Sequence, residues 1–530
     1  MALLLGPLAA LLLGGAAQPK AEAAASGQRI HDYVAFLASD ALKGRDTGSP
    51  GHAAAAAYVA DQFKSLGLKP GGDKGSWFQQ VPFRHAAHAG VPRVTYTAGA
   101  KRIRWTSGKD FALRPSITQE HRLIDAPLVF AGHGISDSRL GIDEYAGLDA
   151  RGKIVVVLRG IPDGLPNDID AHLETSKEQV AARHGAIGLA EISVGHSGIT
   201  WFANRAIIDW AGAPGDAGAQ GDLGASLTLS PEVARRLFEG APRSFQSVRR
   251  AGDGAIRGFA LPGRLRIQSD TAWQDFESPN VVAVLPGTDP ALSSQYVLVG
   301  GHLDHLGMDP GARPGEDAIF NGAMDNAAGV ATLIETARSF VASGKPPRRS
   351  VMFIATTGEE RGLLGADYFA AHPTVPRPSI VSLVDLDMPL LTYDFTDVIA
   401  FGADESTIGR TVADAAASMG VRVSPDPMPD QSLFVRSDHY RFVLRGIPAL
   451  FLMTGQANGG KAAWDDYFAR FYHRVGDDLS QPFRWDAGAK FAALNYRIAR
   501  RLADNDQPPR WYAGSYFGDT YAAGAAKVAQ

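Results

Sequence analysis

The sequence predicts an α/β protein: a mixed, mostly parallel central sheet with helices on both faces, plus a second, β-rich unit inserted into it. Three observations support this. From about Ser278 onward, short apolar runs recur at 281–285, 296–300, 351–356, 380–386 and 449–453. Between them lie stretches with helical spacing, such as Val330, Leu333, Ile334, Ala337 and Phe340. Apolar strands alternating with helices indicate a parallel sheet buried on both faces. The third observation is a change of texture near Ala126. There residues 127–135 run into a Gly-rich turn, glycines bound a strand at 152–160 with the apolar run 154–158 at its centre, and another apolar strand follows at 185–189.

The remaining elements follow in order. Residues 30–68 read as two helices broken at 44–51, with Tyr33, Phe36 and Leu37 on one face and Tyr58, Val59 and Phe63 on another. Residues 81–113 read as short polar-flanked strands, including 93–97. A helix is expected at 175–184, an exposed Gly/Ala/Asp-rich loop at 211–224, and a terminal extension after Asp504.

A length of 530 residues predicts two or three domains. The formal charge of −4, with no Lys/Arg cluster, argues against nucleic acid as a partner, because phosphate binding needs a concentrated basic face. Cysteine is absent, which excludes disulfides, a thiolate nucleophile and cysteine-ligated zinc. Any metal must be held by imidazoles and carboxylates. The opening run MALLLGPLAALLLGGAA, followed by small residues, reads as a secretory signal peptide, although no Lys or Arg precedes it. Export of a cysteine-free chain suits a bacterial periplasm or exterior, and no later segment is apolar enough to span a membrane.

In an open α/β sheet, ligands bind beyond the carboxyl ends of the strands. The residues there form a pattern. His302 and Asp304 follow the 296–300 run, Glu359 and Glu360 follow 351–356, and Asp387 ends 380–386. Asp325 opens the helical stretch after it, and His473 lies some twenty residues past 449–453. One carboxylate at such a place is commonly a helix cap. Two histidines with three carboxylates can instead hold two divalent ions if one carboxylate bridges them, and such a set fits zinc, with manganese or cobalt as substitutes. His305 and His439 stay outside this ligand set, as pocket-lining or core histidines. His133, His172, His184 and His196 show no ligand spacing.

These motifs carry a resemblance. His302-Leu303-Asp304-His305, the stretch from Asn321 to Gly329, the stretch from Gly358 to Gly365, Asp385-Leu386-Asp387-Met388 and Tyr472-His473 resemble the co-catalytic zinc aminopeptidases, metallopeptidase family 28. The block at about 126–261 resembles the protease-associated (PA) insert of many members. The resemblance implies two zinc ions bridged by Asp325, with His302 and Asp387 completing one site and Glu360 and His473 the other. Glu359 would be the general base that deprotonates a metal-bridging water. Asp304 would accept the second N–H of His302, and Tyr472 would help stabilise the oxyanion. A cis peptide at Asp325–Asn326 is also implied.

The implied organisation is a signal peptide at 1–25, peptidase parts at 26–118 and 271–505, a PA-like insert at 119–270 and an extension at 506–530. The implied activity is that of a secreted or periplasmic aminopeptidase acting on peptides, with no stable membrane insertion once the signal is removed. A carboxypeptidase of the glutamate carboxypeptidase type, a glutaminyl cyclase and a non-catalytic receptor-like protein are the alternatives. The sequence does not specify an oligomeric state.

Overall fold

Two sheets share one strand. Phe259–Leu285 is 27 residues long. Its first half pairs with Arg93–Ala98 and His121–Phe130, and its second half with Phe78–His88 and Ser350–Thr356. As a computed structural model, the structure describes residues 25–193, 199, 203, 205–211, 223–250 and 256–530. The expected signal peptide, apart from Ala25, and most of the expected 211–224 loop lie outside the described residues, as does His196.

The main sheet runs Ile207–Trp210, Phe78–His88, Phe259–Leu285, Ser350–Thr356, Tyr296–His302, Ile380–Leu386, Ala449–Thr454, Asp397–Phe401, Arg422–Ser424. The pairings among its four central strands, from Ser350–Thr356 to Ala449–Thr454, are parallel. Every residue of Ser350–Thr356 and of Ala449–Thr454 is buried. Successive side chains point to opposite faces, so both faces of the sheet are covered. Helices Gly329–Ala342, Trp485–Asp504, Gly27–Leu37 and Pro50–Ser65 form one covering group, and Leu364–Ala371 with His439–Val443 another.

The second sheet runs Lys101–Trp105, Arg93–Ala98, the first half of Phe259–Leu285, His121–Phe130, Ile154–Leu158, Gly188–Ile192, Ala225–Leu229, Phe111–Leu113. It has its own apolar core around Phe111, Phe130, Val156, Leu227 and Ile267. The strands between Arg93 and Leu113, expected with the main domain, belong here, because Val94 and Tyr96 pair across strands with Ile267 and Leu265. The second sheet therefore begins near residue 93 and not 119, and the shared strand passes residue 270 without a break.

Smaller corrections follow from local chemistry. The helix expected at 175–184 spans Asn167–Arg183, starting after Pro166 with Asp168 and Asp170 in its first turn, where the helix dipole favours acids. Phe36 does not join the core; it is 39% exposed and stacks on Tyr58. The segment after residue 505 buries Trp511 and Phe517, and the Tyr516 hydroxyl donates to Asp137 at 2.7 Å. No helix among the described residues is long and apolar enough to cross a membrane.

Candidate metal centre

Three adjacent parallel strands deliver the site. His302 stands opposite Thr356 on one side, and Gly300 opposite Asp385 on the other. The register thus sets Glu359–Glu360 and Asp387 on either side of His302 at one sheet edge. Asp325 reaches the same place from the turn that opens helix Gly329–Ala342, and His473 from the chain after helix Gly460–Arg470. All five predicted donors converge.

Their pairing is specific. His302 Nε2 lies 3.2 Å from Asp325 Oδ1 and 3.1 Å from Asp387 Oδ1. His473 Nε2 lies 3.3 Å from Asp325 Oδ2 and 3.2 Å from Glu360 Oε2. Each oxygen of Asp325 therefore faces a different histidine, and each histidine meets one further carboxylate.

The surrounding main chain and side chains hold this arrangement. Asp477 accepts the backbone N–H groups of Met324 and Asp325, both at 3.0 Å, and the Tyr467 hydroxyl at 3.1 Å. Burial pushes the Asp477 carboxyl up to about 6. The Asp325–Asn326 peptide is cis. Asn326 donates to the Leu386 carbonyl at 2.8 Å and accepts from the Gly329 and Met388 amides, tying the bridging residue to the Asp387 loop. Ser437 Oγ sits 2.8 Å from Asp387 Oδ2, leaving Oδ1 turned toward His302. Arg45, fully buried beneath the site, donates to the carbonyls of Leu37, Leu303, Asn321 and Gly322. Burial lowers its pKa to about 10, so it stays a cation at neutral pH.

The predicted catalytic residues are also present. Glu359 sits beside Glu360 and takes no part in the donor pairs. Burial, then the charges of Glu360 and Asp387, push its carboxyl well above the usual range, with His302 opposing. Asp304 is buried, but the expected contact differs. His302 Nδ1 meets the Asp304 backbone carbonyl at 3.1 Å, while the carboxylate accepts from Thr47 Oγ1 at 3.0 Å and the Glu359 amide at 3.2 Å. Two residues past a strand end, the main chain reaches the ring before the side chain does. The Tyr472 ring stacks on His473 with centroids 3.9 Å apart, and its hydroxyl lies 3.5 Å from Arg436. Burial and Asp325 raise its pKa, which keeps the phenol protonated.

A cavity of about 720 Å³ opens beside Glu360. Asp46 and Arg361 line it from the main domain, as does Ile207, whose strand pairs with Phe78–His88, and Arg114, Pro115 and Ser226 line it from the second unit. Arg361 pairs with Asp46, and Arg114 with Glu178.

Comparison with known proteins fits this geometry. Residues 280–499, the stretch holding every predicted donor, match peptidase family M28. The chain is 29% identical over 242 residues to leupeptin-inactivating enzyme 1 of Streptomyces exfoliatus, covering 43% of this chain and 50% of that protein. It is 27% identical over 231 residues to a probable leucine aminopeptidase 2 of Aspergillus oryzae, covering 40% and 42%. The matches thus span half or less of these relatives' length. An aminopeptidase from Aneurinibacillus sp. strain AM-1 shares the fold, with a TM-score of 0.50 at 19% identity, over 92% of this chain and 96% of that one.

The five donors fit a metal on their own geometry. A single imidazole N–H cannot point at two carboxylates at once, yet the Nε2 atoms of His302 and His473 each meet two. Donor atoms around one ion at about 2.0–2.2 Å lie roughly 3.0–3.6 Å apart, which matches these contacts. The electrostatics agree. Burial opposes ionisation of Asp325, yet His302 and His473 hold its carboxyl far below the usual range, and Asp325 with Glu360 raises His473 to about 10. This cluster recruits positive charge. One close neighbour was missed from sequence: His305, three residues past His302, whose Nδ1 lies 2.7 Å from Glu360 Oε1.

Proposed function

We propose that the chain is a two-zinc exopeptidase, an aminopeptidase that removes N-terminal residues from peptides. The observation that carries this reading is the division of Asp325 between two histidine–carboxylate pairs. His302, Asp325 and Asp387 would hold one ion, and Asp325, Glu360 and His473 the other. When bound, the two ions polarise the scissile carbonyl and acidify the attacking water. Glu359, whose carboxyl burial makes more basic than a free carboxylate, takes that water's proton and returns it to the leaving amine. Tyr472, kept protonated, can donate to the developing oxyanion. Asp304 orients His302 through its carbonyl and the Glu359 main chain through its carboxylate.

The second unit, as a PA-like insert, would shape access to the site. Its residues lining the cavity beside Glu360 support this role. The apolar N-terminal run supports export to the periplasm or exterior. A carboxypeptidase would need arginines committed to the substrate's terminal carboxylate. Here Arg361 and Arg114 are already engaged by Asp46 and Glu178, which favours the aminopeptidase. A panel of aminoacyl anilides set against peptides ending in glutamate tests the choice. Hydrolysis of the anilides alone is expected, and release of C-terminal glutamate would reverse the assignment.

A further inference from the structure

We infer that His305 is a third imidazole of the metal centre, closing the coordination of the ion held by Asp325, Glu360 and His473. The inference rests on the two-ion reading and goes beyond its five donors. His305 is fully buried. A nitrogen of its ring and carboxylate oxygens of Asp325 and Glu360 lie within 4.8 Å of one another, as a metal-binding group requires. Its Nδ1 is 2.7 Å from Glu360 Oε1, closer than the roughly 3.0–3.6 Å between two donors of one ion, so a seated ion would part them slightly, while the other oxygen of Glu360 faces His473.

Despite that proximity, neither ring nitrogen of His305 has an aligned hydrogen bond, and neither does Glu360 Oε1. Two unsatisfied polar groups facing each other in a buried site are what a shared cation completes. The fold also makes room for the ring. A Cβ on Gly322 would come within 2.6 Å of His305 Cγ and Cδ2, so the left-handed glycine of the bridging turn seats this histidine. His439, equally buried and unaligned, lies instead between the rings of Phe434 and Phe451, 3.6 Å from Asp385.

The two halves of the centre are then unequal. Four protein donors surround the ion at Glu360, and three the ion at Asp387. The Glu360 half fills first and empties last, and the Asp387 half exchanges.

A crystal structure of the zinc-loaded protein, with zinc located by anomalous scattering, tests this together with zinc-competition titrations of wild type and His305→Gln. Expected are a His305 nitrogen at about 2.0–2.2 Å from one zinc, and a loss of more than about 100-fold in the affinity of the tighter ion alone in the variant. A nitrogen beyond about 3 Å from a zinc seated at Glu360 overturns the inference, whatever the variant does, and leaves the two-ion reading intact. Unchanged affinities in the variant also overturn it. Should the variant not fold, the wild-type structure decides. Absence of zinc from both halves would overturn the underlying reading, and this inference with it.

Discussion

The two sheets that share strand Phe259–Leu285 bury carboxylates in opposite ways. In the second unit Glu144 is completely enclosed, yet its oxygens accept three backbone N–H groups, from His133 at 2.7 Å, Ile135 at 3.0 Å and Ile256 at 2.9 Å. Fixed dipoles satisfy that charge, and nothing further is required of it. At the edge of the main sheet Asp325, Glu360 and Asp387 face imidazoles and one another instead. The first arrangement is complete as a piece of architecture. On the proposed reading the second becomes complete only with cations, and this difference would separate a structural carboxylate from a functional one more sharply than burial does.

Four substitutions would break or sharpen that contrast. Asp325→Ala removes the only residue shared by both halves, so it should abolish binding of both zinc ions and take peptidase activity to background, as read by metal analysis and anilide hydrolysis. Retention of one full zinc equivalent would show that the halves do not depend on a shared bridge. Glu359→Gln should lower kcat by about 10²–10⁴-fold with zinc content unchanged, since it removes proton transfer alone. Loss of zinc in this variant would move Glu359 into the ligand set.

On the structural side, Glu144→Ala leaves three buried N–H groups unpaired and should cost about 3 kcal/mol in unfolding free energy, with zinc binding per folded chain intact. A change in zinc affinity would mean that the two units are not separable in this way. The smallest effect concerns His172, which joins the second unit to the main domain through Tyr440 Oη at 2.5 Å and Tyr521 Oη at 3.1 Å. Burial lowers its pKa to about 4. The unfolded chain therefore takes up this proton first as pH falls, so the stability held above about pH 6.5 is lost toward pH 4. From about pH 7 to 5 the wild type should lose about 2 kcal/mol more than His172→Asn. Parallel pH profiles of the two would contradict the assignment.

Much of the site was legible because His302, Asp325, Glu360 and Asp387 stand at or just past an apolar strand or at a helix start, and parallel strands bring such positions to one edge, whereas His473 arrives from the chain after a helix. The sequence does not show which atom of a residue does the work. Asp304 reads as a carboxylate partner, but its carbonyl reaches His302 first. His305 reads as a pocket residue because nothing in a three-residue spacing within a loop reveals that the turn brings it back to Glu360. Asp477, which fixes the main chain of the bridging residue, lies in a polar stretch without periodicity. The second sheet was placed too late in the chain for a related reason. Alternation at Val94 and Tyr96 shows that a strand has a buried face, but not which sheet it joins.

The central claim is that two cations bridged by Asp325 make this site an exopeptidase. Its most direct test is to strip the protein with a chelator and titrate zinc back. Bound zinc and hydrolysis of an aminoacyl anilide are followed in the same samples. The account predicts no activity in the stripped protein and a rise that plateaus at two zinc ions per chain. Full activity without metal, or two bound zinc ions with no hydrolysis of any peptide or anilide, would contradict it.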